Sequence, residues 1–104
     1  MSGTHLIGAF LEMMSAERGA AKNTIDAYRR DLSDYAGFVV GRKQTLLDVP
    51  RDTVNAYLEH LRREGLSASS SARRLSAIRQ FHRFLCADAV RSDDPTRIVP
   101  SPKA

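Results

Sequence analysis

The sequence contains no tryptophan and a single cysteine, Cys86. One thiol excludes an internal disulfide and any zinc site built from several cysteines. Cys86 falls near the apolar border of a predicted helix, where a half-buried structural role is expected. The histidines His5, His60 and His82 are scattered, and no two stand four residues apart as a helical metal-binding pair would. No metal and no cofactor are expected. Seven aromatic residues without tryptophan offer no stacking platform for single strands. No apolar run of about 18 residues exists, so no membrane span is expected. The N-terminus lacks a basic stretch followed by an apolar core, so no secretory signal is read. A cytoplasmic location follows by default. There is no alternating apolar–polar run and no Asn-Gly or Asp-Gly hairpin, which leaves helices as the building material. A glycine-rich phosphate loop, a nucleophile elbow and paired carboxylates are also missing, so no catalytic residue is assigned. Asp93 and Asp94 read as solvated charges.

Among the 104 residues, basic side chains outnumber acidic ones by four. The excess is uneven. Residues 1–50 carry six Lys/Arg and six Asp/Glu, whereas residues 51–104 carry ten and six. Most of the surplus falls between Gly65 and Asp88, where Arg73, Arg74, Arg79 and Arg83 meet no acid. In that stretch Leu75, Ile78, Phe81, His82 and Leu85 recur at three- and four-residue steps, the period of a helix with one buried stripe. At about 100° per residue the opposite side carries Ser69, Arg73, Ser76, Gln80 and Arg83, with Arg79 beside them. Uncompensated cations interleaved with short polar groups suit a helix lying against the phosphates of nucleic acid.

Three further helices precede it. A first, over residues 4–18, is expected to be capped by Thr4 and closed by a left-handed Gly19. It is apolar around much of its circumference, through Leu6, Ile7, Phe10, Leu11, Met13 and Met14. An exposed apolar edge there would mark a protein contact. A second, over 23–40, is expected to be capped by Asn23 or Thr24, with Ile25, Tyr28, Leu32, Tyr35, Ala36 and Val39 inward and Asp26, Arg30, Ser33 and Asp34 outward. Its start combines Lys22, two short polar side chains and free backbone N–H groups, the makings of a phosphate contact. Leu46, Leu47 and Val49 are expected to tuck under the core. A third helix over 51–64 begins at Pro50 and buries Val54, Tyr57, Leu58 and Leu61. Gly65 and Leu66 close it, and Ser67 caps the fourth, over 68–88. The fold class is all-α: a bundle of two helical hairpins with four helices, a fifth being allowed. Beyond Asp88 the pattern dissolves into Asp93-Asp94-Pro95 and a proline-containing tail, read as a linker over 93–104 that follows a domain at 1–92.

Lys22-Asn23-Thr24-Ile25-Asp26-Ala27-Tyr28-Arg29-Arg30-Asp31-Leu32, then Gly65-Leu66-Ser67, then the run from Ser70 to Phe81 resemble the N-terminal core-binding domain of tyrosine recombinases, the phage-integrase family. The resemblance covers roughly residues 6–103, and Asp93-Asp94-Pro95 resembles the stretch leading to the catalytic domain. It implies a SAM-like orthogonal bundle forming half of a C-shaped clamp on double-stranded DNA, with the second and fourth helices facing the duplex. Carried over by position, Lys22, Asn23 and Thr24 become contacts at the start of the second helix. Ser70, Arg73, Ser76, Arg79, Gln80 and Arg83 become contacts along the fourth. Arg30 is a weaker one, because Asp26, Asp31 and Asp34 offset it.

The resemblance further implies that the family's catalytic set, including its nucleophilic tyrosine, belongs to a C-terminal domain outside this chain. Tyr28, Tyr35 and Tyr57 lie on core stripes and are not that nucleophile. In a full-length protein the chemistry would be transesterification through a 3′-phosphotyrosyl link, carried out with partner recombinase protomers in a synaptic tetramer, in DNA integration, recombination or chromosome-dimer resolution. The isolated domain is expected to be a monomer. The alternative reading is a helical protein-interaction module without DNA contact.

Overall fold

The computed structural model describes residues 3–100 and is all-helical, with no strand among them. Four helices follow in order: α1 (His5–Arg18), α2 (Lys22–Gly41), α3 (Arg51–Arg63) and α4 (Ala68–Ala87). No fifth helix forms among the described residues; the chain after α4 makes turns.

The hairpin α1–α2 turns at Gly19, whose φ of 61° places it in the left-handed region, and the Ala20 N–H closes back on the Met14 carbonyl. The hairpin α3–α4 turns at Gly65, φ 87°, with the Leu66 N–H on the Leu61 carbonyl at 3.1 Å. That is the six-to-one bond of a Schellman closure. Ser67 then accepts the Ser70 N–H at 3.2 Å and caps α4 as expected. The other caps differ. Thr4 has helical dihedrals and makes no side-chain cap bond. The α2 N-cap is Ala21, so Asn23 and Thr24 lie inside the first turn and do not cap it. Pro50 is itself the N-cap residue of α3. The α4 end carries no glycine, yet Ala89 adopts φ 56° and the Val90 N–H reaches the Leu85 carbonyl at 2.8 Å.

Phe10, Leu32, Tyr35, Val39, Tyr57, Leu75, Ile78, Phe81 and Leu85 are fully buried and draw all four helices into one core. Phe10 meets Phe81 edge to face at 5.8 Å between ring centres, a favoured aromatic arrangement. Leu46 and Val49 of the α2–α3 connection plug one end of this core. On α1 the apolar circumference is consumed: Ile7, Phe10, Leu11 and Met14 are buried and Leu6 and Met13 partly so. The exposed apolar edge expected on that helix is not there.

The stretch after α4 also packs on the body. Arg91 is buried, grips Asp93 with two bonds of 2.9 and 2.8 Å and donates to the Leu46 carbonyl. Asp94 accepts from the Thr96 N–H and hydroxyl. Asp93 and Asp94 are therefore structural partners rather than merely solvated charges. Val99 is 2% exposed, and its carbonyl accepts from Arg79 of α4. Residues 91–99 form a strap across the bundle.

Candidate nucleic-acid interface

The polar side of α4 begins at its cap. The Ser69 and Ser70 hydroxyls gather round Ser67 Oγ at 3.2 and 3.1 Å. One turn on, Arg73 sends Nε and Nη2 to the two oxygens of Asp31 on α2, at 3.1 and 3.0 Å. Asp31 is buried while the Arg73 side chain stays 50% exposed. Arg74 donates to Asp34 at 2.8 Å and to the Tyr57 hydroxyl at 3.1 Å, and its Nε lies 3.6 Å from Asp31. Burial and the bond to Asp34 raise the Tyr57 hydroxyl above the ordinary phenol range, which leaves it a neutral donor. Arg79 is half-buried and spends a bond on the Val99 carbonyl. Arg83 is exposed and has no carboxylate partner among the described residues.

The four arginines of α4 are thus not equally uncompensated. Asp31 and Asp34, which from sequence alone offset Arg30, belong instead to Arg73 and Arg74. The excess moves without vanishing. Taken together, α2 and α4 hold seven cationic and three acidic side chains, as many surplus charges as the whole chain carries. With two acids committed to α4, Arg29 and Arg30 stand exposed on α2, opposed chiefly by Asp26. Asp26 already takes Lys22 at 2.8 Å, and that ammonium group holds its carboxyl below the usual range. Lys22 is 86% exposed in this pair. An exposed i, i+4 pair of this kind is screened by water and contributes little, so a phosphate can displace Asp26 at small cost. Asn23 and Thr24 are exposed beside it.

Gln80 joins three helices at the middle of this face. Its Oε1 accepts from Arg18 at the end of α1, and its Nε2 donates to the Tyr28 hydroxyl of α2 and to Ser76 Oγ, all within 3.1–3.2 Å. The end of α1, the first turns of α2 and the polar side of α4 are therefore one connected surface. Every residue singled out from sequence lies on α2 or α4, and Ser76, Gln80, Arg73 and Arg79 double as structural ties.

The family profile for the phage integrase, N-terminal SAM-like domain matches residues 7–88. The chain belongs to that family. This phage-integrase domain is 55% identical over 97 residues to tyrosine recombinase XerD of Rhizobium meliloti, covering 93% of this chain and 31% of the relative. It is 47% identical over 110 residues to tyrosine recombinase XerD of Agrobacterium fabrum, covering 99% and 33%. A third relative, tyrosine recombinase XerD of Caulobacter vibrioides, is 49% identical over 96 residues. The chain spans about a third of the length of the curated relatives it matches.

Sequence reasoning misses three members of the phage-integrase domain's polar face, all tied to α4. From sequence Arg18 reads only as a helix end, Tyr28 as a core residue and Asp31 as an acid offsetting Arg30. The signal for Asp31 was present: it is one residue before Leu32 and four before Tyr35, on the inward side of α2. A carboxylate at such a position needs a cationic partner, because burying it alone costs several kcal/mol.

No helix among the described residues is long and apolar enough to cross a membrane, and none of their His, Cys, Asp and Glu side chains form a cluster fit to hold a metal.

Proposed function

We propose that this chain grips one half-site of double-stranded DNA as the N-terminal part of a cytoplasmic, site-specific tyrosine recombinase. The observation that carries the reading is the seven-to-three cationic surplus on α2 and α4, the two helices whose polar sides join through Gln80. Lys22, Asn23, Thr24, Arg30, Ser69, Ser70 and Arg83 meet the sugar–phosphate backbone. Arg73, Ser76, Arg79 and Gln80 lie along the part of α4 that enters the major groove. The relatives' name, tyrosine recombinase XerD, supports a role in DNA integration, recombination or chromosome-dimer resolution, with partner protomers assembled into a synaptic tetramer. We place strand cleavage outside residues 3–100. The isolated domain acts as a monomer.

Salt dependence tests this. The three cations placed on the backbone, Lys22, Arg30 and Arg83, give a slope of log affinity against log salt of about −2.7, since each contributes about −0.9. An affinity for duplex that stays level between low and high salt would end the proposal. An NMR shift map on adding duplex should centre on residues 22–24 and 69–83.

The alternative, a protein-interaction module, draws on one observation. A shallow groove between α1 and α2 is lined by Gly8, Ala36, Gly37 and Val40, and Val40 is 47% exposed. Concentration-dependent sedimentation without DNA, abolished by Val40→Asp, is what that reading requires.

A further inference from the structure

We infer that Asp31 is a positioning residue that turns Arg73 into a guanine-reading donor, while the phosphate grip is left to other cations. The inference rests on the DNA-binding reading above.

The argument starts from the geometry of one side chain. A guanidinium carries five N–H groups in a rigid planar fork. Arg73 commits Nε and one N–H of Nη2 to the two oxygens of Asp31. That carboxylate is 2% exposed, and the neighbouring Arg74 guanidinium lies 3.6 Å from it. A buried two-point anchor holds the plane of the guanidinium, which a free surface arginine would sample only part of the time. Nη1 and the second N–H of Nη2 make no further hydrogen bond among the described residues, on a side chain that is 50% exposed. Two parallel donors match two acceptors side by side. In the major groove, guanine O6 and N7 form such a pair.

Charge then separates base from phosphate. Arg73 and Arg74 face Asp31 and Asp34, two cations against two anions. Neutralisation removes most of what a phosphate rewards, because phosphate affinity is chiefly a matter of net charge and counterion release. It leaves the direction of the N–H groups intact, which is what base recognition rewards. Arg83 is the opposite case, exposed and without a carboxylate partner among the described residues. Gln80, the other candidate reader, already spends its oxygen and both amide hydrogens on Arg18, Tyr28 and Ser76. It would have to surrender the tie between three helices to reach a base.

The test is a binding selection with the whole chain on 30-base-pair duplexes carrying a randomised central tract, the bound fraction being sequenced. The native chain should enrich guanine at one fixed position. Arg73→Lys, which keeps the charge and loses the fork, should reduce the preference at that position roughly five- to a hundredfold. Asp31→Asn, which keeps the shape and frees the guanidinium, should do the same, without the loss of about 0.9 in salt slope that marks a lost phosphate contact. A merely structural Asp31 would lower the melting temperature and leave the base preference untouched. Should Asp31→Asn fail to fold by circular dichroism, Arg73→Lys decides alone. A guanine preference that survives in Arg73→Lys, or native binding with no guanine preference, overturns the inference while leaving the phosphate grip standing. A native chain that binds no duplex overturns both.

Discussion

Arg83 is exposed on α4 and makes no ion pair with a carboxylate among the described residues, and its removal should be felt by DNA and not by the fold. Arg83→Ala is expected to shorten the salt slope of duplex binding by about 0.9, with the far-UV circular dichroism and urea midpoint unchanged. Its neighbour on the helix behaves oppositely. His82 is fully buried, shares a 2.9 Å hydrogen bond with the Tyr35 hydroxyl, and leaves Nδ1 without a partner among the described groups. Burial, and then the nearby charge of Arg91, push its pKa down to about 4, with Asp93 and Asp94 opposing. The fold therefore holds the neutral ring. Its contribution is complete above the unfolded value of about 6.5 and drains away as pH falls from there to about 4, amounting to about 3 kcal/mol. Urea titrations at pH 7, 5.5 and 4 should show this loss, and His82→Gln should flatten it; an unaltered slope in that variant contradicts the assignment. From sequence, His82 was legible as a core residue by its place on the Leu75–Leu85 stripe. Its partner Tyr35 lies 47 residues away, and no local pattern points across such a separation.

At the scale of the elements, the start and stop chemistry was readable where a special residue stands at the junction and unreadable elsewhere. Gly19, Gly65 and Ser67 announce the two hairpins, and both turns form there. The end of α4 had no such mark, because Ala89 takes a left-handed conformation that L-residues other than glycine avoid at a cost of about 1 kcal/mol. Ala89→Gly should relieve it and stabilise the domain by about 0.5–1 kcal/mol, a gain reduced by glycine's greater freedom when unfolded. A thermal melt checks this; a fall in melting temperature would mean that the Ala89 methyl packs usefully. Ser67→Ala should act in the other direction. It removes the oxygen that accepts the Ser70 N–H and should cost about 1 kcal/mol. The helix faces were equally legible: the inward stripes of α2, α3 and α4 follow the three–four spacing, and Leu46 and Val49 of the connection are buried as expected. What the spacing could not supply was the pairing between faces. Asp31 with Arg73 and Asp34 with Arg74 join residues about forty positions apart, so α4 looked barer of countercharge than it is.

For the molecule as a whole, the bundle and its family were visible in the sequence, because amphipathic period and turn chemistry agree along the chain. The strap was not. Residues 91–99 have no helical period and a composition that reads as polar, yet they bury Arg91, Thr96 and Val99. Their anchors are one arginine on a distant carbonyl, Leu46, and one carbonyl taken by Arg79, neither of which leaves a trace in local composition. Val99→Asp should detach this segment by burying a charge with no partner, and should be read as rapid amide exchange over residues 91–99 with α1–α4 still protected. Protection that persists in the strap would mean that Arg91 alone is sufficient to hold it.

Fastening at Val99 also sets a direction. The Val99 carbonyl is taken by Arg79 and its side chain is buried, so the strap ends at a moored point beside α4 and not at a swivel at the helix end. Pro100 therefore holds a set bearing relative to the polar flank of α4.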